Sequence, residues 1–206
     1  MEIVLKVCIL DYGSGNVSSV ANLISFLGHS NVISNEIEDL KSATHLILPG
    51  VGAFGSAMEN IVSKIPIPAL ELEVLKNKKP FLGICVGMQV LLEVGYEYGE
   101  HAGLGWVPGT VERLQVDTSP LPHIGWNNVE PKRECPLFKN LDLVNDFYFV
   151  HSFCVKADPV YVTSETIYDY SYCSSIQRDN IFGVQFHPEK SQKAGQQLIN
   201  NFLGLS

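Results

Sequence analysis

Apolar runs of strand length alternate with segments of helical periodicity in the first hundred residues. The runs at 3–10, 45–48 and 80–84 have the length and continuity of strands that are buried on both faces. Between the first two runs, apolar residues of 17–27 recur at steps of three and four, and Gly28 provides a C-terminal stop. This pattern predicts a strand, an amphipathic helix and a second strand.

A second helical face follows the run at 80–84, where Met88, Leu91 and Leu92 have helical spacing. The alternation predicts an α/β fold with a doubly wound, mostly parallel sheet and helices on both faces.

The second half of the chain favours shorter strands, some of them antiparallel, because its apolar runs are rich in aromatic and β-branched residues. These predicted strands lie at 111–116, 147–150, 160–167, 172–177 and 181–186. A last helix is predicted from Ser191 or Gln192 to about Phe202, because the apolar residues of this segment share one face. No linker or repeat interrupts the pattern, so we expect residues 1–206 to form a single domain.

Composition and charge exclude several classes of protein. Hydrophobic residues make up 46% of the chain and charged residues 17%, which suffices for a large core. The net charge of -8 repels phosphate backbones, so no nucleic-acid partner is expected. Residues 12–35 carry no charge but are too polar to span a membrane. The five cysteines form no C-x-x-C pair and no zinc-site spacing, which indicates a reduced cytoplasmic protein without metal or cofactor.

The segment Gly83-Ile-Cys85-Val-Gly87 has the form of a nucleophile elbow between a strand and a helix. Glycine on either side of Cys85 allows neighbouring chain to pack against a strained turn. A thiol at the N-terminus of the following helix would lie at the positive end of the helix dipole, which favours the thiolate. Cys85 is therefore a candidate nucleophile, and the alternative is a buried structural cysteine beside tightly packed glycines.

A candidate base follows the predicted strand at 181–186, in the triplet His187-Pro188-Glu189. Attack on a carboxamide needs a base that later donates a proton to the leaving amine, and histidine suits both steps. Pro188 fixes the chain so that Glu189 can orient the imidazole. The alternative interpretation is that His187 and Glu189 only cap the last helix.

A third segment, 48–55, is a glycine-rich turn at the end of a strand in the same half of the sheet. Backbone N–H groups from Gly50, Val51 and Gly52, together with that of Val86, could stabilise the oxyanion of a tetrahedral intermediate. Glycines would also let a peptide plane in this turn flip at little cost. The alternative is that these proline and glycine residues only form an ordinary loop.

Taken together, these segments resemble the triad-type (class I) glutamine amidotransferases. More narrowly, the chain is similar to the glutaminase subunits of imidazole glycerol phosphate synthases, and the matching blocks span nearly its whole length. They are the segments 11–16, 48–54, 83–89, 122–127, 149–152 and 183–191.

The resemblance implies a flavodoxin-like fold and a catalytic triad of Cys85, His187 and Glu189 that hydrolyses glutamine through a γ-glutamyl thioester. It also implies that Gln89, His151 and Ser152 line the glutamine pocket, although His151 is equally well interpreted as a hydrogen-bonded core histidine. Ammonia would pass to a separate (β/α)8-barrel cyclase subunit in a heterodimer, and the lone chain would be nearly inactive.

Two departures from the family pattern leave the triad unchanged, and the second of them concerns the acceptor of ammonia. Val86 stands where leucine is commoner, and Asp169-Tyr170 stands where a glycine is usual. The second change also resembles paralogous glutaminases that supply ammonia for amidino groups on surface sugars. Two alternatives of another class are a cysteine hydrolase or peptidase on a similar sheet, and a binding subunit that has lost activity.

The remaining motifs have weaker interpretations. The segment Gly13-Ser-Gly15-Asn16 lacks the third small residue of a dinucleotide-binding turn, so it predicts a tight turn with Asn16 available at a subunit edge. Four other histidines have no carboxylate partner or ligand spacing, and we interpret them as loop or surface residues; they are His29, His45, His101 and His123.

Overall fold

Five parallel strands form the part of the sheet that carries the candidate nucleophile. The computed structural model describes residues 5–13, 15–141 and 145–205. In spatial order the parallel strands are β2, β1, β3, β4 and β13, each hydrogen-bonded to the next. Their bounds are β1 (Lys6–Ile9), β2 (Ser30–Ile33), β3 (His45–Gly50), β4 (Phe81–Cys85) and β13 (Ile181–Val184).

Antiparallel strands extend this sheet and form a branch. β12 pairs with β13, β10 joins β12 to β7, and β5 and β6 lie beyond β7. The branch runs from β12 through β11 and β8 to β9. The bounds are β5 (Val94–Gly95), β6 (His101–Ala102), β7 (Gly109–Arg113), β8 (His123–Pro131), β9 (Asn145–His151), β10 (Phe153–Ala157), β11 (Val162–Tyr168) and β12 (Tyr170–Arg178).

Six α-helices connect or follow the strands in the described part of the chain. They are α1 (Val17–Phe26), α2 (Ile37–Ser42), α3 (Phe54–Lys64), α4 (Ile67–Glu71), α5 (Val86–Gln89) and α6 (Gln192–Leu203). A π-helical turn (Leu72–Lys76) continues α4, and 3-10 turns occupy Pro136–Phe138 and Pro188–Lys190. Among the described residues, no helix is both long and apolar enough to cross a bilayer.

The predicted α/β class with a mixed, mostly parallel sheet is confirmed. Helix α1 begins and ends where its periodicity indicated, and α6 likewise matches the predicted last helix. The first predicted strand is shorter in the structure, and its residues 3 and 4 lie outside the described part of the chain. The antiparallel part is more extensive than expected, because β8 and β10 were not recognised in the sequence.

The segment after β4 differs from the predicted amphipathic helix. Helix α5 has only four residues, and Met88, Leu91 and Leu92 are all fully buried. The chain beyond α5 continues in tight turns, and the N–H of Val107 bonds to the carbonyl of Leu91. A segment that is buried on every side needs no polar face. The helical spacing of its apolar residues therefore did not indicate an amphipathic helix.

Candidate active site

The carboxyl ends of β3, β4 and β13 place the three candidate segments side by side. Gly50, the last residue of β3, is in register with Cys85, the last residue of β4. On the other side of β4, Val184 of β13 is in register with Ile84, and the chain then continues to His187. Parallel pairing therefore brings the glycine turn, the elbow and the histidine to one edge of the sheet.

Cys85 lies in a strained turn, as the elbow pattern predicted. Its φ of 56° and ψ of -113° belong to a region that non-glycine residues rarely adopt. A Cβ on Gly83 would collide with the carbonyl of Gly87, and one on Gly87 would collide with that of Leu48. The two glycines are thus required by close backbone approach.

The helix dipole at Cys85 is weaker than the elbow pattern predicted. Helix α5 comprises only Val86–Gln89, so few peptide dipoles are aligned behind the thiol. Stabilisation of a thiolate must come mainly from individual donors around the sulfur.

His187 forms a short hydrogen bond to Glu189. Its Nδ1 lies 2.7 Å from Oε1 of Glu189, and both side chains are almost fully buried. Burial by itself lowers the pKa of His187, but the interactions with Cys85 and Glu189 outweigh burial and raise this pKa to about 10. Since Glu189 occupies Nδ1, Nε2 is the ring nitrogen that can exchange a proton with the thiol.

The backbone of His187 is held by strand β9. Its N–H donates to the carbonyl of Tyr148 at 2.8 Å, and its carbonyl accepts a hydrogen bond from the Ser191 hydroxyl at 2.6 Å. Ser191, not His187 or Glu189, is the N-cap residue of α6. The alternative that this pair only caps the last helix therefore does not describe the geometry.

Asn16 contacts the candidate triad directly. Its side-chain Nδ2 donates to Oε1 of Glu189 at 3.2 Å, across 173 residues of chain. Asparagine at an N-cap usually bonds to the N–H groups of its own helix, but Asn16 makes no such side-chain bond to α1. The motif predicted Asn16 at a subunit edge, and the structure adds a contact to the triad that the motif did not indicate.

A cavity of about 230 Å³ adjoins the thiol. It contains most of the residues that the resemblance assigned to the oxyanion and the glutamine pocket, whereas Gly50, His187 and Glu189 do not line it. The lining residues are Val51, Gly52, Cys85, Val86, Gln89, Glu97, Val150, His151, Ser152 and Phe153. The carboxylate of Glu97 was missed because nothing in its loop sequence distinguishes it from a solvated acidic residue.

Two glutamine side chains, of which Gln89 lines the cavity and Gln185 does not, link the Phe153 carbonyl to the thiol. Nε2 of Gln89 donates to the Phe153 carbonyl at 2.9 Å and to Oε1 of Gln185 at 3.0 Å. Nε2 of Gln185 then donates to Sγ of Cys85 at 3.7 Å. Gln185 stands in the same sequence block as His187, but no pattern singled it out.

His151 lines the cavity, yet both of its ring nitrogens have protein partners. Nδ1 bonds to the Phe153 carbonyl at 2.9 Å, and Nε2 lies 3.2 Å from the Tyr172 hydroxyl. Burial, with smaller contributions from other histidines, lowers the pKa of His151 to about 3, so the ring is neutral. His151 is thus both a cavity wall and a hydrogen-bonded core histidine.

Two histidines interpreted as loop or surface residues are buried, which corrects that expectation. His45 packs edge-on against Phe202, and burial lowers its pKa. His123 bonds to the Tyr172 hydroxyl at 3.1 Å, and burial lowers its pKa to about 4. Histidine is amphipathic, and aromatic neighbours cover both rings: Phe202 covers His45, and Phe149 stacks on His123.

The Gly50–Gly52 turn lies against the elbow and against Tyr12. A Cβ on Gly50 would lie 2.7 Å from the backbone nitrogen of Gly87, so only glycine permits this approach. Burial and the nearby Cys85 raise the pKa of Tyr12, while a contact with the backbone N–H of Val51 partly lowers it. The Tyr12 hydroxyl therefore lies beside the turn, where a Cβ on Gly50 would collide with it.

Comparison with known proteins agrees with this geometry. The family model described as "Glutamine amidotransferase class-I" matches residues 8–204. The chain belongs to the class-I glutamine amidotransferase family. Within this amidotransferase, the strained cysteine, the buried His–Glu pair and the cavity all fall inside the matched region.

Curated relatives cover nearly the whole amidotransferase chain. The imidazole glycerol phosphate synthase subunit HisH 1 of Campylobacter jejuni (strain RM1221) is 44% identical over 200 residues, covering 97% of this chain and 100% of the relative. The HisH subunit of Methanocaldococcus jannaschii is 42% identical over 197 residues, covering 96% and 98%. That of Aquifex aeolicus is 42% identical over 200 residues, covering 96% of each chain.

Solved structures with low sequence identity share the fold. A putative GMP synthase protein from Thermoplasma acidophilum superposes with a TM-score of 0.74 at 18% identity, covering 98% of this chain and 93% of that one. The structure of PurLQS from Thermotoga maritima gives a TM-score of 0.73 at 16% identity, covering 97% of each chain. These similarities show that proteins with very different sequences share the α/β fold of this chain.

Proposed function

We propose that this amidotransferase is the glutaminase subunit of an imidazole glycerol phosphate synthase and that Cys85, His187 and Glu189 are its catalytic triad. The observation that carries the assignment of the triad is the buried His187–Glu189 pair beside Cys85, whose interactions raise the pKa of His187 to about 10. The HisH relatives, at 42–44% identity over almost the full length, support the pathway, which is histidine biosynthesis.

In the proposed mechanism the Cys85 sulfur attacks the side-chain amide carbon of glutamine. The protonated His187 donates its Nε2 proton to the leaving nitrogen, so ammonia departs and a γ-glutamyl thioester forms. The neutral imidazole then removes a proton from water, which attacks the thioester and releases glutamate. Glu189 keeps the proton on Nδ1 and stabilises the imidazolium that is present before ammonia leaves and that forms again when water attacks the thioester.

The oxyanion of each tetrahedral intermediate would be bound by backbone N–H groups at the elbow. Val86 immediately follows the nucleophile, while Val51 and Gly52 line the same cavity. Gly50 takes part by letting the turn approach, since no side chain fits between it and Gly87. The elbow holds the N–H of Val86 next to the nucleophile, which favours preorganised charge stabilisation.

The cavity is suited to an amino acid with a short polar side chain. Its volume of about 230 Å³ is below the range typical of drug-sized ligands. Glu97 supplies a carboxylate for the α-ammonium group of glutamine, and Ser152 and the oxygen of Gln89 are available for its polar atoms. His151 forms part of the cavity wall and limits its shape. It does not bond to the ligand, because both of its ring nitrogens already have protein partners.

A cyclase subunit with a (β/α)8 barrel is the proposed partner, in a heterodimer to which ammonia passes directly. An exposed aromatic surface next to the triad supports a docking face there. Trp126, which is 48% exposed, packs edge-on against Tyr148, and Lys190 lies over the Tyr148 ring. The Tyr148 carbonyl in turn accepts a hydrogen bond from the N–H of His187.

We further propose that the partner activates the chain by reorienting the Gly50–Gly52 turn.

The five cysteines are all free and buried, which supports a reducing compartment, and we place the protein in the cytoplasm.

The test of the proposed function is glutamate release by the purified chain with and without a candidate cyclase subunit. Wild-type protein should release glutamate and support ammonia-dependent ring closure in the complex. Cys85→Ala should abolish both while keeping the wild-type melting temperature, and Cys135→Ala, another buried thiol outside the cavity, should retain them. Substantial turnover by Cys85→Ala would reject the nucleophile, and equal activity with and without the partner would reject the proposed activation.

A further inference from the structure

The sulfur of Cys85 has a hydrogen-bond donor that the triad does not supply. The side-chain Nε2 of Gln185 lies 3.7 Å from Sγ, within the range for N–H donors to sulfur. Gln185 is fully buried and lies on the chain between β13 and His187. An amide that is fully buried beside a nucleophile has no water to compete for its N–H groups.

The orientation of this amide is fixed by a carbonyl at the far end of the network. A backbone carbonyl only accepts hydrogen bonds, so the atom of Gln89 that faces Phe153 must be its nitrogen. That nitrogen also faces Gln185, which must present its oxygen in return. The nitrogen of Gln185 is then the atom left to face Sγ. A flipped Gln185 amide would oppose two NH₂ groups, which cannot bond to each other.

We propose that Gln185 is a further catalytic residue, whose side-chain N–H donates to the Cys85 sulfur and stabilises its thiolate. This inference deepens the proposed glutaminase function and rests on Cys85 as the nucleophile. A thiolate accepts a hydrogen bond more strongly than a thiol does, so the donor favours the attacking form. The short helix α5 makes such a donor more important, because few aligned dipoles support the sulfur.

The test measures the second-order rate of Cys85 alkylation by iodoacetamide at pH 7, using the full chain alone and in the complex. The modified peptide is quantified by mass, which separates Cys85 from the other thiols. Gln185→Met, which keeps the volume and removes the donor, should slow alkylation by about tenfold and lower kcat similarly. KM should change little, because Gln185 does not line the cavity.

Two further variants distinguish catalysis from structure. Gln185→Glu keeps the shape but replaces the donor by a carboxylate, so alkylation should slow at least as much as in Gln185→Met. Gln177→Met removes an amide from the neighbouring strand β12, where its N–H donates to the Asp179 carbonyl and not to the sulfur, and should leave the rate unchanged. Alkylation of Gln185→Met at the wild-type rate would overturn the proposal.

Gln185→Met should also lose stability, because it leaves an N–H of Gln89 without its partner, and this loss needs a control of its own. The double variant Gln89→Met/Gln185→Met removes that donor as well, and the Phe153 carbonyl keeps its bond from His151. It should melt closer to wild type and still be alkylated slowly; a restored rate would overturn the role of Gln185. Alkylation uses no glutamine, so a chain that fails to hydrolyse glutamine would reject the proposed function without altering this comparison.

Discussion

Replacement of Glu189 by glutamine should reduce glutamine hydrolysis only moderately, for a reason specific to this geometry. In serine proteases the equivalent carboxylate-to-amide change costs about 10⁴ in kcat, because the amide selects the wrong histidine tautomer. Here both hydrogen bonds converge on one oxygen, since Oε1 of Glu189 accepts from His187 at 2.7 Å and from Asn16 at 3.2 Å. Among the described residues, Oε2 has no hydrogen-bond partner.

A glutamine at this position can therefore place its oxygen where Oε1 lies and its NH₂ group where Oε2 lies. His187 would keep its proton on Nδ1, and only the negative charge would be lost. Hydrogen bonds to charged groups contribute about 1.5–3 kcal/mol, which corresponds to a factor of about 10 to 150 in rate. The pKa of His187 should fall as well, because Glu189 is one of the groups that raise it.

The assay is steady-state glutamate release by the complex, with kcat and KM measured separately from pH 6 to 9. We expect kcat to fall by about 10 to 150 times and KM to stay within about twofold, because Glu189 does not line the cavity. A loss near 10⁴ would refute the assignment of both bonds to Oε1. An unchanged kcat would refute the role of Glu189 in the triad.

Three further predictions concern the same edge of the sheet. The raised pKa of His187 contributes stability that is complete below pH 6.5 and is lost as the pH rises towards about 10, so this contribution to the free energy of unfolding in urea should decline between pH 7 and 8.5. Gly87→Ala should cost about 2–4 kcal/mol of unfolding free energy, because the new Cβ would lie 2.9 Å from the carbonyl carbon of Leu48 and collide with its oxygen. Asn16→Ala should lower kcat by about tenfold with KM unchanged, because it removes a donor to the Glu189 carboxylate at the weak end of the range for bonds to charged groups.

Each of these predictions has a matched control. Cys85→Ala should flatten the pH dependence of stability, since Cys85 helps to raise the pKa of His187, and an unchanged slope would contradict the assignment. Gly204→Ala, where the nearest atoms to a Cβ lie at 3.5 Å, should be nearly neutral. Asn31→Ala removes side-chain bonds to α1 without touching the triad, and a kcat loss equal to that of Asn16→Ala would attribute the effect to the helix.

Local patterns in the sequence predicted those parts of the fold that depend on periodicity. Strands β3 and β4 and helices α1 and α6 were all recognisable, because apolar residues recur there at the spacing of a strand or a helix. Strand β8 was not predicted, since its burial alternates but its polarity does not follow: Ile124 and Trp126 are exposed, whereas Asn127 lies on the more buried face. Helix α5 was predicted too long, because a fully buried segment has no polar face to mark its end.

The candidate site divides in the same way. Glycine spacing indicated the elbow at Cys85, and the triplet at His187 indicated the base, because both motifs are short and local. No local motif indicated Glu97, Gln185 or the contact of Asn16 with Glu189. Each depends on a pairing between distant segments, and sequence spacing does not report those distances.

The sequence by itself determined which side chains could act and the strand-to-turn geometry around each of them, because these follow from residue type and neighbouring glycines. Only the tertiary structure decided that they meet. β4 lies between β3 and β13, so Gly50, Cys85 and the residues after Val184 share one edge although about a hundred residues separate β4 from β13. Strand order depends on long-range hydrogen bonding and on the burial of both sheet faces, which no local segment encodes.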